Sequence, residues 1–437
     1  MTVAKRQFYL DKLIEKQNNG LVKVITGLRR VGKSYLLFTL YKKYLIESGI
    51  KSENIICIQL DDNSFLKLRN PLILSDFIHS KITSDEQYFV FIDEIQFCKK
   101  IKNPYLEDDF IGFYEVLNGL LHMSNVDTYV TGSNSKMLTT DVLTEFRGRG
   151  DEIHVMPLTF AEYYEACEKD YEDALTDYMM FGGMPRLLHL QSDSEKMNYL
   201  KSLFNEIYLK DISERNSLRN THELDILVNV LASGIGSFTN PTKISNTFKT
   251  ELKLSYDIKT IANHIKFLKE AFVVFEAKRY NIKGRKYIGA NSKYYFSDIG
   301  LRNARIGFRQ QEMPHIMENL IYTELIARGL LVDVGIVEVN KKNENGSNVK
   351  KQLEVDFVAK TVHKTYYIQS AYRIDSEEKN MQEIASLKKI KDSFQKIIVH
   401  YDRMHEYYDE NGFLNICLKD FLLNRGEINH ERTERTF

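Results

Sequence analysis

The first third of the chain contains the segment Leu21-Val-Lys-Val-Ile-Thr-Gly27-Leu-Arg-Arg-Val-Gly32-Lys33-Ser34, which predicts how this part folds. It opens with a short β-branched run typical of a buried strand and continues into a loop that matches G-x-x-x-x-G-K-[ST]. A helical pattern over residues 34–45 follows the loop. Glycines let the backbone N–H groups wrap a phosphate, and the positive end of the helix dipole faces the same point. The sequence therefore predicts a nucleotide-binding P-loop between a strand and a helix.

The residues of this loop have expected roles toward ATP and Mg²⁺. Lys33 is expected to reach the β- and γ-phosphates, and the Ser34 hydroxyl to ligate Mg²⁺. The residues predicted to contact the nucleotide are Gly27, Leu28, Arg29, Arg30, Val31, Gly32, Lys33 and Ser34. For Arg29 and Arg30 three alternatives stay open, because these side chains could face phosphate, DNA or a partner.

A second acidic motif completes the predicted site. The apolar run Tyr88-Phe-Val-Phe-Ile leads directly into Asp93 and Glu94. Asp93 is expected to hold the Mg²⁺ shell through its carboxylate, and Glu94 to polarise an attacking water as general base. Adjacent Asp-Glu favours a hydrolase over a small-molecule kinase, which would not need a base that activates water.

Five apolar runs alternate with helical segments in this part of the chain. Continuous apolar strands separated by helices are typical of a parallel sheet covered on both faces, which predicts an α/β fold. The predicted strands are 21–26, 54–60, 88–93, 128–131 and 153–158.

Polar residues follow the fourth predicted strand. Ser133 or Asn134 is expected to position the attacking water or the γ-phosphate, because the carboxyl ends of parallel strands converge on the ligand crevice; plain turn chemistry is the alternative. Arg147 or Arg149 is a candidate arginine finger acting on a neighbouring subunit, which would require a homo-oligomer. The alternative for both arginines is an ordinary surface charge.

Length, composition and charge limit the function classes. At 437 residues the chain is long enough for about three domains. Sixty Lys and Arg balance sixty Asp and Glu, so nucleic acid could bind only at a local basic patch. No apolar run approaches the length of a membrane span, and the first sixteen residues lack the apolar core of a signal peptide. The four cysteines are dispersed and match neither a zinc motif nor a disulfide framework. We therefore expect a cytoplasmic protein with no membrane partner.

The rest of the chain divides into three further segments. The predicted domains are an ATPase domain (1–158), a helical lid (159–216), a winged helix-turn-helix (217–298) and a small C-terminal α/β domain (299–437). Helical patterns over 241–248 and 258–269, followed by strand patterns over 273–277 and 293–296, predict the winged helix. Lys259, Lys266 and Lys269 lie near one face of its second helix and would suit DNA phosphates, whereas a packing module is the alternative.

The order of these motifs resembles a known family. GLRRVGKS, FIDEIQ, TGSNS and FRGRG…PLTFAEYYE are similar to the AAA-type ATPases of bacteria and archaea that carry a C-terminal domain of unknown function. KYYFSDIGL, MENLIYTEL and LEVDF resemble that C-terminal domain. The resemblance implies an AAA fold, a winged helix and a terminal domain related to restriction-endonuclease-like nucleases, without implying a substrate.

Nucleases of that fold need a helix Glu, a strand Asp, and Glu/Gln-x-Lys on the next strand to hold Mg²⁺ and activate water. Glu318, Asp356 and Gln369 follow this order, but Ala371 stands where the lysine belongs. Lys388 or Lys391 on the following helix is a candidate substitute, and the alternative is that both lysines lie on the solvated face of an amphipathic helix. We expect the terminal domain to recognise rather than cut.

Three functions are compatible with the sequence. The first is an ATP-hydrolysing AAA-type switch or motor whose C-terminal part binds DNA or a protein client. The second is an ATP-dependent nuclease, against which Ala371 argues. The third is a nucleotide-gated binding module with little turnover, which would have no use for Glu94 as a base.

Overall fold

The computed structural model describes residues 4–132, 148–218, 221–251, 253–309, 312–342, 348–372 and 384–423. The chain folds into two compact units. The N-terminal unit comprises residues up to 158 together with 270–272, and the C-terminal unit comprises residues 159–269 and those from 273 onward. Among the residues that the structure describes, none of the helices has both the length and the apolar character that crossing a membrane requires.

The N-terminal unit is built on a five-stranded sheet in which every strand runs parallel to its neighbours, in the order β2-β3-β6-β1-β7. Its elements are α1 (Gln7–Glu15), β1 (Val22–Thr26), α2 (33–47, with a π-helical turn at Leu36–Tyr41), β2 (Ile55–Gln59), α3 (Pro71–Lys81), β3 (Tyr88–Asp93), β4 (Ile101–Lys102), β5 (Phe110–Ile111), α4 (Phe113–Leu121), β6 (Val126–Thr131) and β7 (Gly150–His154). All residues of β1 and β3 are buried, as expected for strands covered on both faces.

Two local features of this unit differ from the sequence-based prediction. The fifth strand covers Gly150–His154 instead of 153–158, because its pairing with β1 begins at Val22 opposite Gly150. The short antiparallel hairpin of β4 and β5 has no counterpart in the prediction, since two-residue strands leave no periodic pattern.

The C-terminal unit begins with a group of helices, and a second, mixed sheet follows. The helices are α5 (Phe160–Ala166), α6 (Tyr171–Phe181), α7 (193–215, π-helical over Leu203–Leu209), α8 (Thr221–Ser233), α9 (Pro241–Glu251), α10 (Ile258–Glu270), α11 (Ile299–Arg305), α12 (Met313–Ala327), α13 (384–388) and α14 (Leu418–Leu423). The strands are β8 (Val274–Asn281), β9 (Lys286–Phe296), β10 (Leu331–Lys342), β11 (Asn348–Lys360), β12 (Thr365–Ala371), β13 (Gln395–His400), β14 (Tyr407–Tyr408) and β15 (Leu414–Cys417).

One eight-stranded sheet runs through this unit in the order β14-β15-β13-β12-β11-β10-β8-β9. The hairpin β8–β9 is antiparallel and joins the sheet through parallel pairing of β8 with β10. A single bridge between Thr239 and Ser292 ties the segment before α9 to β9. Ten of the fifteen residues of α12 are buried, so this helix is central to the unit. The predicted boundaries at 216/217 and 298/299 both lie inside this unit.

Candidate functional site

The loop after β1 needs glycine at two positions. Gly27 has φ 137° and Gly32 has φ 92°, values that side-chain-bearing residues rarely adopt. A Cβ on Gly27 would also lie 2.2 Å from the carbonyl oxygen of Val155, just beyond β7. The loop therefore passes too close to the neighbouring backbone for any other residue, and α2 begins directly after it at Lys33.

Lys33 lies within the loop that it is predicted to serve. Its side chain is buried, and Nζ donates to the carbonyl oxygens of Gly27 and Leu28, each at 3.1 Å. Leu28 and Val31 are buried and anchor the loop to the core, whereas Arg30 is exposed. Arg29 is half-buried. The loop thus presents its backbone, not its apolar side chains, to the space in front of α2.

The acidic motif lies at the carboxyl end of β3. Asp93 is buried and accepts hydrogen bonds from the hydroxyls of Thr131 and Ser34. Burial raises the pKa of Asp93, and these two hydrogen bonds oppose the rise. The contact between Asp93 and Ser34 brings together the two predicted Mg²⁺ ligands, which are hard oxygen donors of the kind that this ion prefers. Ser34 and Asp93 therefore fit a magnesium ion.

Glu94 follows in a left-handed backbone conformation with φ 50°, which is uncommon for a residue with a side chain. Its backbone N–H donates to Thr131 Oγ1 at 3.1 Å, so Thr131 contacts both acidic residues. The Gln96 side-chain amide donates to Glu94 Oε2. This geometry holds the Glu94 carboxylate at the same edge of the sheet as the P-loop, because both follow the carboxyl ends of parallel strands.

The other predicted site residues separate into two groups. Ser133, Asn134 and Arg147 lie outside the described residues. Arg149 is exposed, and its carbonyl accepts from the N–H of Val22, the first residue of β1. Five residues of β1 separate that point from the P-loop, about 17 Å at 3.3 Å per residue. Arg149 therefore lies at the opposite end of the sheet from the P-loop of its own subunit.

Sequence reasoning missed Thr131 and Gln96. Thr131 is the last residue of β6, the strand between β1 and β3. Its place at the carboxyl end of that strand is the only feature that indicates a role in the site. Finding it from the sequence requires knowing the strand order. Gln96 lies two residues beyond Glu94 in a short 3₁₀ turn, where no motif spacing singles it out.

An acidic cluster lies in the C-terminal unit where nuclease residues were predicted. Glu318 and Asp356 come together there with Glu354, with one oxygen of each within 4.8 Å of the others. The Asp356 N–H lies 3.4 Å from Gln369 Oε1, so Gln369 also borders this cluster.

The predicted lysine substitutes are not part of this cluster. Lys388 and Lys391 are exposed, and Ala371 is buried inside β12. The cation beside the carboxylates is Lys293 of β9, whose Nζ lies 2.7 Å from Glu318 Oε1. The prediction that Lys388 or Lys391 replaces the missing lysine is therefore not supported, because a lysine from outside the motif fills this place.

The three lysines assigned to one face of α10 differ in their surroundings. Lys259 and Lys266 are exposed. Lys269 instead forms an ion pair with Glu276 on β8, so its charge is already compensated. Lys259 and Lys266 are therefore the more exposed of the three lysines.

Two family models match separate parts of the chain. Residues 19–164 match the model of the AAA domain, and residues 172–312 match a domain of unknown function (DUF8612). Among solved structures, AMPPCP-bound DnaA from Aquifex aeolicus aligns with 61% of this chain and 88% of its own, at 14% identity and a TM-score of 0.32. A likeness this loose carries no functional argument.

Full-length relatives come from a bacterium and an archaeon. An uncharacterized protein of Methanocaldococcus jannaschii is 28% identical over 441 residues, covering 96% of this chain and 90% of its own. An uncharacterized protein of Haemophilus influenzae is 32% identical over 424 residues, covering 96% of this chain and 98% of its own. The chain thus belongs to the same family as the Haemophilus influenzae protein, and it carries an AAA domain at residues 19–164.

Proposed function

We propose that the N-terminal unit binds ATP with Mg²⁺ and hydrolyses it, and that the C-terminal unit recognises DNA or a protein client. The observation that carries the ATPase assignment is the meeting of Ser34, Asp93 and Glu94 at the edge of the sheet where the P-loop begins. A recognition site for phosphate alone would not need two adjacent carboxylates there. The AAA domain match supports the same assignment.

Each residue has a separate task in this proposal. Lys33 Nζ exchanges the carbonyl oxygens of Gly27 and Leu28 for phosphate oxygens when nucleotide binds. Magnesium, held through Ser34 and Asp93, would neutralise phosphate charge. Glu94 accepts the proton of the attacking water, and Thr131 fixes the backbone from which that carboxylate extends.

Two variants and one control test the assignment. We expect Lys33→Ala to weaken ATP binding on the order of thirtyfold or more, because a buried cation is lost from the phosphates. We expect Glu94→Gln to retain ATP but to lose about a hundredfold or more of the turnover, because only the base is removed. Lys43→Ala, an exposed lysine on α2, should behave as wild type in both measurements. Titration of a fluorescent ATP analogue and timed phosphate release measure the two quantities.

The result for Glu94→Gln also separates hydrolysis from simple gating. Wild-type turnover in this variant would place the base elsewhere. Negligible turnover in the wild-type chain, with intact ATP binding, would favour the nucleotide-gated binding module over the ATPase.

The segment from α8 to β9 is our candidate for DNA recognition. Its order of three helices and an antiparallel hairpin, with the Thr239–Ser292 bridge before α9, supports the proposal of a winged helix-turn-helix. Residues 241–290 contain eleven Lys and Arg against four Asp and Glu, although the whole chain is neutral. This local excess of positive charge supports nucleic acid over a neutral protein surface as the partner.

A metal-dependent nuclease is the second candidate, favoured by the acidic cluster of Glu318, Glu354 and Asp356. Cleavage of duplex, single-stranded or circular DNA in the presence of ATP and Mg²⁺ or Mn²⁺, abolished by Asp356→Asn, would establish it. Our proposal expects no such cleavage, because Lys293 already forms ion pairs with two of the three carboxylates that would hold the metal.

A further inference from the structure

Three carboxylates of the C-terminal unit converge from a helix and a strand. Glu318 extends from α12, while Glu354 and Asp356 lie two residues apart on β11, and their carboxylates converge with that of Glu318. Glu318 and Asp356 are buried, and Glu354 is partly buried. A group of three negative charges removed from water is stable only where a cation or a proton compensates it.

Lys293 of β9 supplies a positive charge within this group. Its Nζ lies 2.7 Å from Glu318 Oε1 and 2.5 Å from Glu354 Oε1, and its side chain is 5% exposed. Tyr295, two residues further on the same face of β9, donates its hydroxyl to Glu318 Oε1 at 2.5 Å. Lys293 and Tyr295, two alternate positions of β9, therefore both contact the carboxylate of Glu318.

The surroundings favour a charged lysine. Burial lowers the pKa of Lys293, but the carboxylates of Glu318, Asp356 and Glu354 outweigh burial, so this pKa is raised. Burial and the Glu318 carboxylate raise the pKa of Asp356 well above its ordinary value, which favours its protonated form. The ammonium group of Lys293, in contact with two of the three carboxylates, offsets part of the negative charge that would hold another cation.

A divalent ion and this ammonium group compete for the same carboxylates. Ca²⁺ and Mg²⁺ bind carboxylate oxygens at 2.0–2.6 Å, so an ion held by Glu318 and Glu354 would lie close to the ammonium group that already contacts both side chains. Two cations that close together repel each other strongly in a buried environment. The residues present therefore do not fit the metal centre that the nuclease resemblance implies.

We propose that the ammonium group of Lys293 occupies the position in this cluster that a divalent metal holds in the nucleases that the sequence resembles. Its ion pairs with Glu318 and Glu354 link strand β9 to α12 and β11. The proposal deepens the part of the proposed function in which the C-terminal unit recognises rather than cuts. The loop before α9 passes close to the same point, since a Cβ on Gly236 would lie 3.0 Å from both Glu318 Oε2 and His315 Nδ1. The cluster thus fixes the DNA-recognition candidate to the α/β sheet without a metal.

Manganese binding to the full chain tests the proposal. The measurements use an Asp93→Asn background, so that the P-loop site does not contribute, and they follow bound Mn²⁺ by electron paramagnetic resonance. We expect no tight Mn²⁺ site while Lys293 is present, and no change in the unfolding midpoint on adding EDTA. We expect Lys293→Met to lower that midpoint by about 5–10 °C, because it leaves buried carboxylates unpaired. The same variant should bind about one Mn²⁺, and Asp356→Asn added to it should abolish that binding.

Two further variants keep the test decisive. Lys286→Met replaces an exposed lysine at the start of the same strand and should change neither quantity. If Lys293→Met does not fold, the double variant Lys293→Met/Glu318→Gln removes a carboxylate together with the lysine and should recover soluble protein. A double variant that also fails to fold would overturn the proposal, because the loss would then not come from unpaired charge.

The outcomes separate this inference from the proposed function. One Mn²⁺ bound while Lys293 is present, and lost in Asp356→Asn, would overturn the inference. The same result accompanied by metal-dependent DNA cleavage would overturn the assignment of recognition as well. Absent ATP turnover in the wild-type chain would contradict only the ATPase proposal and leave the Mn²⁺ result standing.

Discussion

The amide of Gln96 donates to Glu94 Oε2, while its own carbonyl oxygen is buried and makes no hydrogen bond within the described part of the chain. One end of this side chain therefore holds the proposed base, and the other end is available to accept a hydrogen bond from water. A carboxylate that is held in one orientation loses less entropy on reaching the transition state. Gln96 is thus a positioning residue for Glu94.

Replacing Gln96 with methionine removes both polar ends while preserving the length of the side chain. We expect Gln96→Met to lower kcat about tenfold and to leave KM for ATP nearly unchanged, because only the base loses its fixed orientation. Steady-state turnover as a function of ATP concentration measures both constants. Gln87→Met, just before the opposite end of β3, is the matched control and should leave kcat unchanged. A rise in KM with unchanged kcat would mean that Gln96 acts in nucleotide binding instead.

Residues inside motifs were predictable from the sequence, and residues that depend on strand order were not. Lys33, Ser34, Asp93 and Glu94 follow from spacing and from the apolar runs beside them. Lys293 opens the KYYFSDIGL motif, but nothing in that motif predicts contact with Glu318 and Glu354, which depends on how β9, α12 and β11 pack together.

A lysine in a buried strand is a second case in which the sequence alone does not predict a contact. Lys23 is fully buried in β1 and forms an ion pair with Asp127 of β6. The pattern of apolar residues in β1 does not predict which residue pairs with Lys23, because Asp127 lies more than a hundred residues away in the sequence.

At the scale of elements, helix α10 presents a strip of polar side chains to solvent. Lys259, Asn263 and Lys266 are exposed at spacings of four and three residues, so they lie on one face. Ile261, Ile265 and Leu268 are buried on the opposite face. This separation of faces fits a helix that packs on one side and meets a polyanion on the other.

The two exposed lysines of α10 should contribute to duplex binding through phosphate contacts. We expect Lys259→Ala/Lys266→Ala to weaken binding of duplex DNA regardless of its sequence, and to reduce the slope of log affinity against log salt concentration by about 2. Fluorescence anisotropy at several salt concentrations measures this slope. Lys201→Ala, an exposed lysine on α7, serves as the control. An unchanged slope would assign α10 a packing role and favour a protein client.

Element prediction succeeded where the hydrophobic pattern was long and failed where it was short. The helices at 241–251 and 258–270 lie within a few residues of the predicted ranges. The strands at 407–408 and 414–417 were not predicted, because segments of two to four residues do not establish a period of two.

At the scale of the whole molecule, the position of Arg149 bears on assembly. Its place at the amino end of β7, about 17 Å along β1 from the P-loop, is too far for contact with phosphates in its own subunit. An arginine at that end could complete the site only of a second copy.

We expect Arg149→Ala to bind ATP but to lose about a thousandfold of the turnover, because the transition state loses a cation. Mixing Arg149→Ala with Lys33→Ala should recover part of the activity, since one variant retains the P-loop and the other retains the arginine. Wild-type turnover per subunit should rise with protein concentration as copies assemble. A mixture as inactive as its components, or turnover that is independent of concentration, would contradict action between subunits.

The eight-stranded sheet also limits how this chain can be divided and inherited. Strand β8 pairs with β10 at Arg279, Tyr280 and Asn281, so a cut after residue 298 would strip β10 of a neighbour and leave β8 with an open edge. Recombination that exchanged only the segment from α8 to β9 would separate β8 and β9 from the other strands of the same sheet. The matched domain family crosses residue 298 but ends at residue 312, before β10 begins. A fragment that keeps this sheet whole must therefore extend beyond the proposed recognition segment as far as β15.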